Sequence, residues 1–466
     1  MPEAIGNAND ATTIAAIATP PGTGGVGIVR LSGPRAKEIM LRICPLKNPS
    51  SLQSHKLCLG VIRHPLSGEA IDEALVVWMK EPRSYTGEEA AELQCHGGPL
   101  VVARVLQAAL AAGAVLAQPG EFTLRAFMNG RLDLAQAEAV LDLIEAKTPR
   151  ALSLFAEQLA GSLSAGITAI EEQITQLMAA IEVGVDFPQD EDALSAQETK
   201  ARLLPILAAI DELLAGAPMG RAYREGLRAV LLGPPNAGKS SLFNSLLREE
   251  RAIVTHAPGT TRDVIEEYLD IDGIPVLLSD TAGLRGDICD EAEALGVGRS
   301  RQKAQSAELI LLVLDLTQPL TENENALLQE FFPRGPLLLL NKADLSSPDA
   351  LREELEHAWP RLTKIAVSAK SGQGLALVKE EIKKRAGGGL PEAARPGLLG
   401  NLRHQRALVQ AKQCLAEGLA ALDEGLPIDM VSVDLMTAAR FLGEITGKSA
   451  SEELIKTIFS SFCLGK

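Results

Sequence analysis

The sequence predicts a multidomain chain of mixed α/β and all-α character, with one α/β domain inserted into a split helical scaffold. Three observations carry this. A length of 466 residues exceeds what one ordinary core organises, so about two to four domains are expected. The apolar spacing changes from strand-like to helical near Leu132 and becomes strand-like again after Arg221. Helical periodicity then resumes at Asn401 and runs to the end of the sequence, so the helical part lies on both sides of the second α/β region.

Residues 12–97 read as strands broken by turns: Thr13–Thr19, Val26–Leu31, His55–Arg63, Ala74–Met79 and Ala90–Cys95. A helix over Pro99–Ala114 follows, which makes a mixed α/β unit. Leu152, Phe155, Leu159, Leu163, Ile167, Ile170, Ile174, Leu177 and Ile181 then recur at steps of three and four. That spacing predicts one long amphipathic helix seated in a bundle. Val185–Asp192 breaks it, a further helix is expected over about Ala196–Leu214, and Gly216–Arg221 reads as a linker.

Beyond the linker, strands alternate with helical stretches: Leu227–Leu232, Val264–Ile271, Val276–Asp280, Leu309–Asp315, Leu337–Asn341 and Lys364–Ser368. Asp272-Gly273 forms a tight hairpin turn between the second and third. The order implies a mostly parallel sheet with one antiparallel edge. After the loose Ala386–Gly400 stretch the tail is helical. The domain boundaries drawn are 1–131, 132–220 (first helical part), 221–386 and 387–466 (second helical part).

Composition narrows the partners. With 46% hydrophobic residues sizeable cores can form. No run of about 18 apolar residues stands out, so no membrane span is expected. The first ten residues have neither a basic nor an apolar signal region. The cysteines at 44, 58, 95, 289, 414 and 463 show no C-x-x-C spacing, which fits a reducing, cytoplasmic compartment. The formal net charge is −15, concentrated in residues 132–220, which carry 4 basic and 15 acidic residues. Such a chain lacks the broad positive field that drives non-specific nucleic-acid binding. An RNA substrate would need local patches or a partner.

The strongest chemical signal is Gly233-Pro-Pro-Asn-Ala-Gly-Lys-Ser-Ser241. It fits G-x-x-x-x-G-K-[ST] between an apolar strand and a helix, the context in which loop amides cradle phosphates. Lys239 would reach the β/γ-phosphates and the Ser240 hydroxyl would ligate Mg²⁺. Asp280-Thr-Ala-Gly283 ends a strand, where the acid can hold a Mg²⁺-bound water and Gly283 can meet the γ-phosphate. Asn341-Lys-Ala-Asp344 ends another strand, and a carboxylate there can accept N1–H and N2–H₂ of guanine together. Ser368-Ala-Lys370 supplies backbone N–H groups near guanine O6. The four elements in this order mark a GTPase.

The expected nucleotide contacts are Asn236, Ala237, Gly238, Lys239, Ser240 and Ser241, with Thr255, His256, Ala257, Pro258, Gly259, Thr260 and Thr261 from the next loop. Asp280, Thr281, Ala282 and Gly283 join them, as do Asn341, Lys342, Ala343 and Asp344, and Ser368, Ala369 and Lys370. Ras-like proteins place a water-orienting Gln after Asp-x-x-Gly. This chain has Leu284 there, which cannot hydrogen-bond water, so another residue and another source of positive charge are required. Thr261 in Gly259-Thr-Thr-Arg-Asp263 is placed to complete the Mg²⁺ shell. Asn236, with oxygens from Thr255–Thr260, could cage a monovalent cation.

At this point the chain resembles the MnmE/TrmE family of tRNA wobble-uridine modification GTPases over essentially its full length. The residues that carry the resemblance are Thr19-Pro-Pro-Gly-Thr-Gly-Gly-Val-Gly-Ile-Val-Arg30, Tyr85-Thr-Gly-Glu-Glu89, Glu92-Leu-Gln-Cys-His-Gly-Gly98 and Pro119–Arg131. Asp133–Ala139, the nucleotide set and the terminal Phe462-Cys-Leu-Gly-Lys466 complete it. The terminal Cys-x-Gly-Lys is the most discriminating.

The resemblance implies a tetrahydrofolate-binding and dimerisation domain at 1–131, a discontinuous helical domain, and a Ras-like G domain at 221–386. It also implies a homodimer whose G domains pair in the presence of K⁺, and complex formation with the FAD-dependent protein MnmG (GidA). The implied chemistry adds a carboxymethylaminomethyl-type group to C5 of uridine 34 of tRNA, with a methylenetetrahydrofolate one-carbon unit.

Carried over by residue, K⁺ falls to Asn236, Thr255, Ala257 and Thr260, and Mg²⁺ to Ser240 and Thr261. The water-orienting acid falls to Glu293, and folate contacts to Arg30, Glu92, Arg131 and Lys466. A pterin's donor edge suits Glu92, and a glutamate tail suits Arg or Lys. Cys463 could act as nucleophile or acid near a bound one-carbon unit. Two other classes compete. A ribosome-assembly switch would require a basic RNA-binding appendage, and none stands out. A non-catalytic dimerisation scaffold would not require Lys239, Ser240, Asp280 and Thr261.

Overall fold

The computed structural model describes residues 12–46, 52–186, 194–250, 265–280, 304–345, 349–386 and 399–466. Contacts divide the chain into two compact units: Met1–Leu141 with Gln158–Thr199 and Gln413–Lys466, and Asp142–Glu157 with Lys200–Lys412.

The first unit opens with β1 (Ile14–Ile17), β2 (Gly24–Ser32), helix α1 (Ala36–Ile43), β3 (Cys58–Arg63), β4 (Ala70–Met79), β5 (Ala90–Gly97), α2 (Pro99–Ala111) and β6 (Val115–Leu116). The strands form one sheet in the order β3-β4-β5-β2-β1-β6. Val29, Leu31, Val76, Leu93 and Cys95 are buried in a core with residues of α1 and α2. The other pleat carries Arg30 directly opposite Glu92, and Glu92 opposite Val77. α1 was read as part of a stretch of strands and turns. It follows Gly33, whose φ of +128° and 2.7 Å clearance from the Thr12 carbonyl admit no side chain.

Helices α3 (Glu121–Met128) and α4 (Leu134–Glu145) come next. The long helix expected through Leu152–Ile181 is two helices, α5 (Pro149–Leu159) and α6 (Ser162–Asp186). Gly161, at φ +98°, ends the first turn-by-turn run. The predicted seam is buried only in part before the break: Leu152 is exposed, while Phe155, with Leu154, enters the core of the second unit. Leu163, Ile167, Ile170, Ile174, Leu177 and Ile181 of α6 are all buried, and α6 packs in the first unit.

The stretch read as a linker is also helical. α7 (Ala196–Ala215) gives way at Gly216 to α8 (Ala217–Glu225), because Pro218 suits the first turn of a new helix and Met219, Ala222 and Tyr223 are buried. Ala196–Glu225 is long and apolar enough by composition to cross a bilayer. Yet Leu203, Ile206 and Ile210 are buried in the protein, and Asp211 pairs with Lys412 at 2.5 Å.

The second unit is built on a six-stranded sheet. Its elements are β7 (Leu227–Leu232), α9 (Lys239–Glu250), β8 (Ile265–Ile271), β9 (Ile274–Asp280), β10 (Leu309–Asp315), α10 (Glu322–Phe331), β11 (Leu337–Asn341), α11 (Asp349–Ala358), β12 (Lys364–Ala366) and α12 (Leu375–Arg385). The strand order is β12-β11-β10-β7-β9-β8, parallel except for the β8–β9 edge. β7, β10 and β11 are apolar and almost wholly buried, as a sheet covered on both faces requires.

Asp272 and Gly273, at φ +50° and +89°, make the β8–β9 turn. Thr148 donates to the Gly273 carbonyl at 2.6 Å, and the Arg150 stem lies where a Gly273 side chain would go.

The chain ends in α13 (Leu402–Asp423), α14 (Ile428–Thr446) and α15 (Glu452–Ser460). In the first unit α14 packs along α6, while Phe459 and Phe462 join Leu134, Ala137 and Val140 in one cluster. Gly465, at φ +88°, lies so close to the Ile17 carbonyl that a Cβ would come within 2.2 Å. The final residues are thereby seated on β1.

Candidate functional site

In the second unit the loop between β7 and α9 turns at the carboxyl edge of the sheet, where open α/β sheets bind ligands. Gly233 and Gly238 have φ of +144° and +90°, and Asn236 holds the left-handed region at +61°. A Cβ on Gly233 would meet the Val313 carbonyl at 2.1 Å, and one on Gly238 would meet Asn341 Nδ2 at 2.2 Å. The loop therefore lies flat on its neighbours, with the N-terminus of α9 at its end. Ser240 and Ser241 are exposed in the first turn of that helix, where the dipole favours anions. The Lys239 ammonium donates to the carbonyls of Gly233 and Pro234 at 2.9 and 2.8 Å.

Asn341 joins three of the sequence elements. It is 2% exposed. Its Nδ2 donates to the Ala237 carbonyl at 2.8 Å, and its Oδ1 accepts from the Ala369 N–H at 3.1 Å. Asp344 Oδ1 accepts from the buried Ser368 hydroxyl at 2.7 Å, and that hydroxyl also receives the Ser371 N–H. Lys342, at φ +67°, turns its ammonium onto Asp315 Oδ2 at 2.6 Å.

Asp315 was missed in the sequence, where its signal was an acid ending the apolar run Leu309–Leu314. Burial pushes its carboxyl up, but hydrogen bonds from Lys342 and Thr317 more than offset this and hold it below the usual range. Asp280 closes β9 in register with Leu231. Thr255, His256, Ala257, Pro258, Gly259, Thr260, Thr261, Thr281, Ala282, Gly283, Leu284 and Glu293 lie outside the described residues.

The first unit gathers a second constellation. Arg30 Nε donates to Glu92 Oε1 at 3.0 Å, across neighbouring strands, and Arg30 Nη1 reaches the Gly465 carbonyl at 3.5 Å. Lys466 follows. Burial, then the Arg30 charge, holds its amine below the usual lysine range, although Cys463 and Glu92 oppose this. Cys463 is exposed, and its carbonyl accepts the Gly120 N–H at 3.5 Å.

Arg131 stands apart: it is exposed, with its stem against Gly87, and no hydrogen bond or ion pair among the described residues ties it to Arg30, Glu92 or Lys466. Sequence reading also passed over Arg125, which is buried and paired with Glu121 at 2.9 Å and Glu88 at 3.3 Å. It braces the Tyr85–Glu89 segment from beneath.

Comparison with known proteins identifies the family. The TrmE N-terminal domain of GTP-binding proteins matches residues 13–131, and the MnmE helical domain matches residues 134–463. The tRNA modification GTPase MnmE of Moorella thermoacetica is 45% identical over 97% of this chain and 99% of its own. That of Chloroflexus aurantiacus is 46% identical over the same shares. Among solved structures, the G domain of the T. maritima FeoB iron transporter aligns at 28% identity over 34% of this chain and 98% of that one, with a TM-score of 0.27. On the two family domains and the near full-length identity, the chain belongs to the MnmE family of tRNA modification GTPases.

Proposed function

We propose that this GTPase is potassium-activated and works with the FAD-dependent protein MnmG, as a cytoplasmic homodimer, to modify wobble uridine 34 of certain tRNAs. The group added at C5 is of the carboxymethylaminomethyl type, and methylenetetrahydrofolate is the one-carbon donor. The observation that carries the hydrolase reading is the Asn341 bridge, which ties the phosphate loop at Ala237 to the guanine loop at Ala369. Phosphate and base recognition thus share one buried side chain. The relatives, tRNA modification GTPases by name, support the tRNA substrate.

Within that reading, Asp344 accepts guanine donors and Lys239 neutralises the phosphates. Ser240 and Thr261 hold Mg²⁺, which supplies charge stabilisation at the β/γ-phosphates when bound. Asn236, Thr255, Ala257 and Thr260 hold K⁺, which fills the electrostatic role of an arginine finger, and Glu293 orients the attacking water that Leu284 cannot. Asn236, at the exposed tip of the loop in a left-handed conformation, keeps its amide oxygen available for a cation.

The Arg30–Glu92 pair with Lys466 fits a tetrahydrofolate, because a carboxylate acceptor and two cationic donors converge at the seated C-terminus. Arg131 would complete the folate contacts. When bound, the folate supplies a one-carbon unit, and Cys463 is the thiol placed next to Lys466.

GTP turnover measured in K⁺ and in Na⁺ at equal ionic strength, with and without added folate, tests the reading. A finger's charge is worth about 10³–10⁵ in other systems, so turnover is expected to rise steeply in K⁺ and the rise to vanish in Asn236→Ala. Glu293→Ala is expected to lower kcat by roughly 10²–10⁴. Equal rates in the two salts would refute the cation cage.

A further inference from the structure

The Arg30 guanidinium is held on several sides. Glu92 and the Gly465 carbonyl accept its Nε and Nη1. Its central carbon lies 5.7 Å from the centre of the Tyr85 ring and 5.9 Å from that of Phe122, the range in which a cation is attracted to a ring face. Phe122 is fully buried. Tyr85 is pinned at its far end by a 2.9 Å hydrogen bond between its hydroxyl and Thr123 Oγ1. Phe122 and Thr123 are neighbours on α3, so one turn of that helix supplies one ring and anchors the other.

An ion pair alone would not fix the guanidinium. The Arg30 and Glu92 side chains are 20% and 17% exposed, and a pair that solvent reaches leaves rotamers free. Two rings that touch the same planar cation limit its tilt. Nη2 has no hydrogen-bond partner among the described residues, so this edge is the one a ligand can use.

We propose that Tyr85 is a positioning residue: with Phe122 it fixes the Arg30 guanidinium so that a donor edge stands beside the Glu92 acceptor, a pair that reads the pyrimidinone edge of a pterin. The proposal rests on the tetrahydrofolate reading given above. A pterin presents O4, N3–H and the 2-amino group in a row. Arg30 donates to the first and Glu92 accepts from the other two. The same pair suits a glutamate tail poorly, because a tail carboxylate at Arg30 would lie against the Glu92 carboxylate. Arg30 is thereby assigned to the head of the cofactor rather than its tail.

Calorimetric titration of the full-length protein with 5-formyltetrahydrofolate, and with a tetrahydropterin that lacks the glutamate tail, tests this. Tyr85→Phe keeps the ring and should bind both ligands within about twofold of the parent. Tyr85→Leu should weaken both by about tenfold, the size of a lost cation–π contact at a partly buried site. In an Arg30→Met background Tyr85→Leu should add nothing further, since it acts through Arg30. Thermal midpoints of each variant report folding. Should Tyr85→Leu unfold the domain, Tyr85→Met fills the same space and carries the same expectation.

Parent-like binding by a folded Tyr85→Leu, or a further loss in the Arg30→Met background, would overturn the positioning role. Weakening of the tailed ligand alone would overturn the assignment to the head. A parent that binds neither ligand would instead remove the cofactor reading, and the proposal with it.

Discussion

Replacing Asn341 by Ala tests whether one buried amide aligns the nucleotide site. The change removes the hydrogen bonds to the Ala237 carbonyl at 2.8 Å and the Ala369 N–H at 3.1 Å. Both partners are main-chain groups of the loops proposed to receive the nucleotide, and Ala237 is itself 1% exposed. An orphaned buried group costs about 1–3 kcal/mol, so the two together destabilise this unit by about 2–6 kcal/mol, toward the lower end because the Ala369 N–H is only partly buried. At about 2–4 °C per kcal/mol for a unit of this size, its thermal transition should fall by about 4–24 °C. Because the freed loop no longer presents its amides in one arrangement, part of that energy is lost from binding, and about 1.4 kcal/mol is tenfold. GDP affinity should therefore drop by at least about tenfold.

Scanning calorimetry, with the transition identified by its upward shift with added GDP, and titration of a fluorescent GDP analogue measure the two effects. Asn341→Asp keeps the acceptor for Ala369 but turns an oxygen toward the Ala237 carbonyl, so it should bind GDP no better than Asn341→Ala. An Ala variant that melts and binds like the parent would refute the bridge.

Two further outcomes follow from single side chains. Asp344→Asn removes a carboxylate that the Ser368 hydroxyl holds at 2.7 Å. Charged hydrogen bonds contribute about 1.5–3 kcal/mol each, so GTP should bind at least about tenfold more weakly and xanthosine triphosphate better, as competition binding would show. Unchanged GTP affinity would sink the assignment. Cys44 is buried, and burial, then the neighbouring Cys58, pushes its thiol up to about 11. At pH 8 only about one Cys44 in 10³ is thiolate, and that fraction rises about tenfold per pH unit up to pH 11. Iodoacetamide at pH 8 should thus modify the exposed Cys463 well before Cys44, as read by peptide mass spectrometry; the opposite order would contradict the burial.

How much of this was legible without coordinates differs by element. The strands at Leu227–Leu232, Leu309–Asp315 and Leu337–Asn341 stand where their apolar runs put them. A strand buried on both faces and a glycine-bound phosphate loop leave local signals that tertiary context does not overturn. The Asp272-Gly273 turn was equally local, since two left-handed residues define it.

Other features were decided only in three dimensions. The seam from Leu152 to Ile181 is unbroken in sequence, but the chain divides it near Gly161: Leu152 is left exposed, Phe155 enters the second unit's core, and the α6 positions from Leu163 to Ile181 are buried in the first. Gly216–Arg221 looked like a linker from its small residues, and became helix because Met219, Ala222 and Tyr223 had a core to enter. Only the family resemblance, and not the residue types, pointed to Arg30, Glu92, Arg131 and Lys466 for a folate. That Arg30 faces Glu92 across two strands, and that Gly465 brings Lys466 to them from the far end of the chain, depends on strand register and on a seat for the C-terminus. Register and long-range docking are set by the burial of whole surfaces, a quantity that no short stretch of sequence carries.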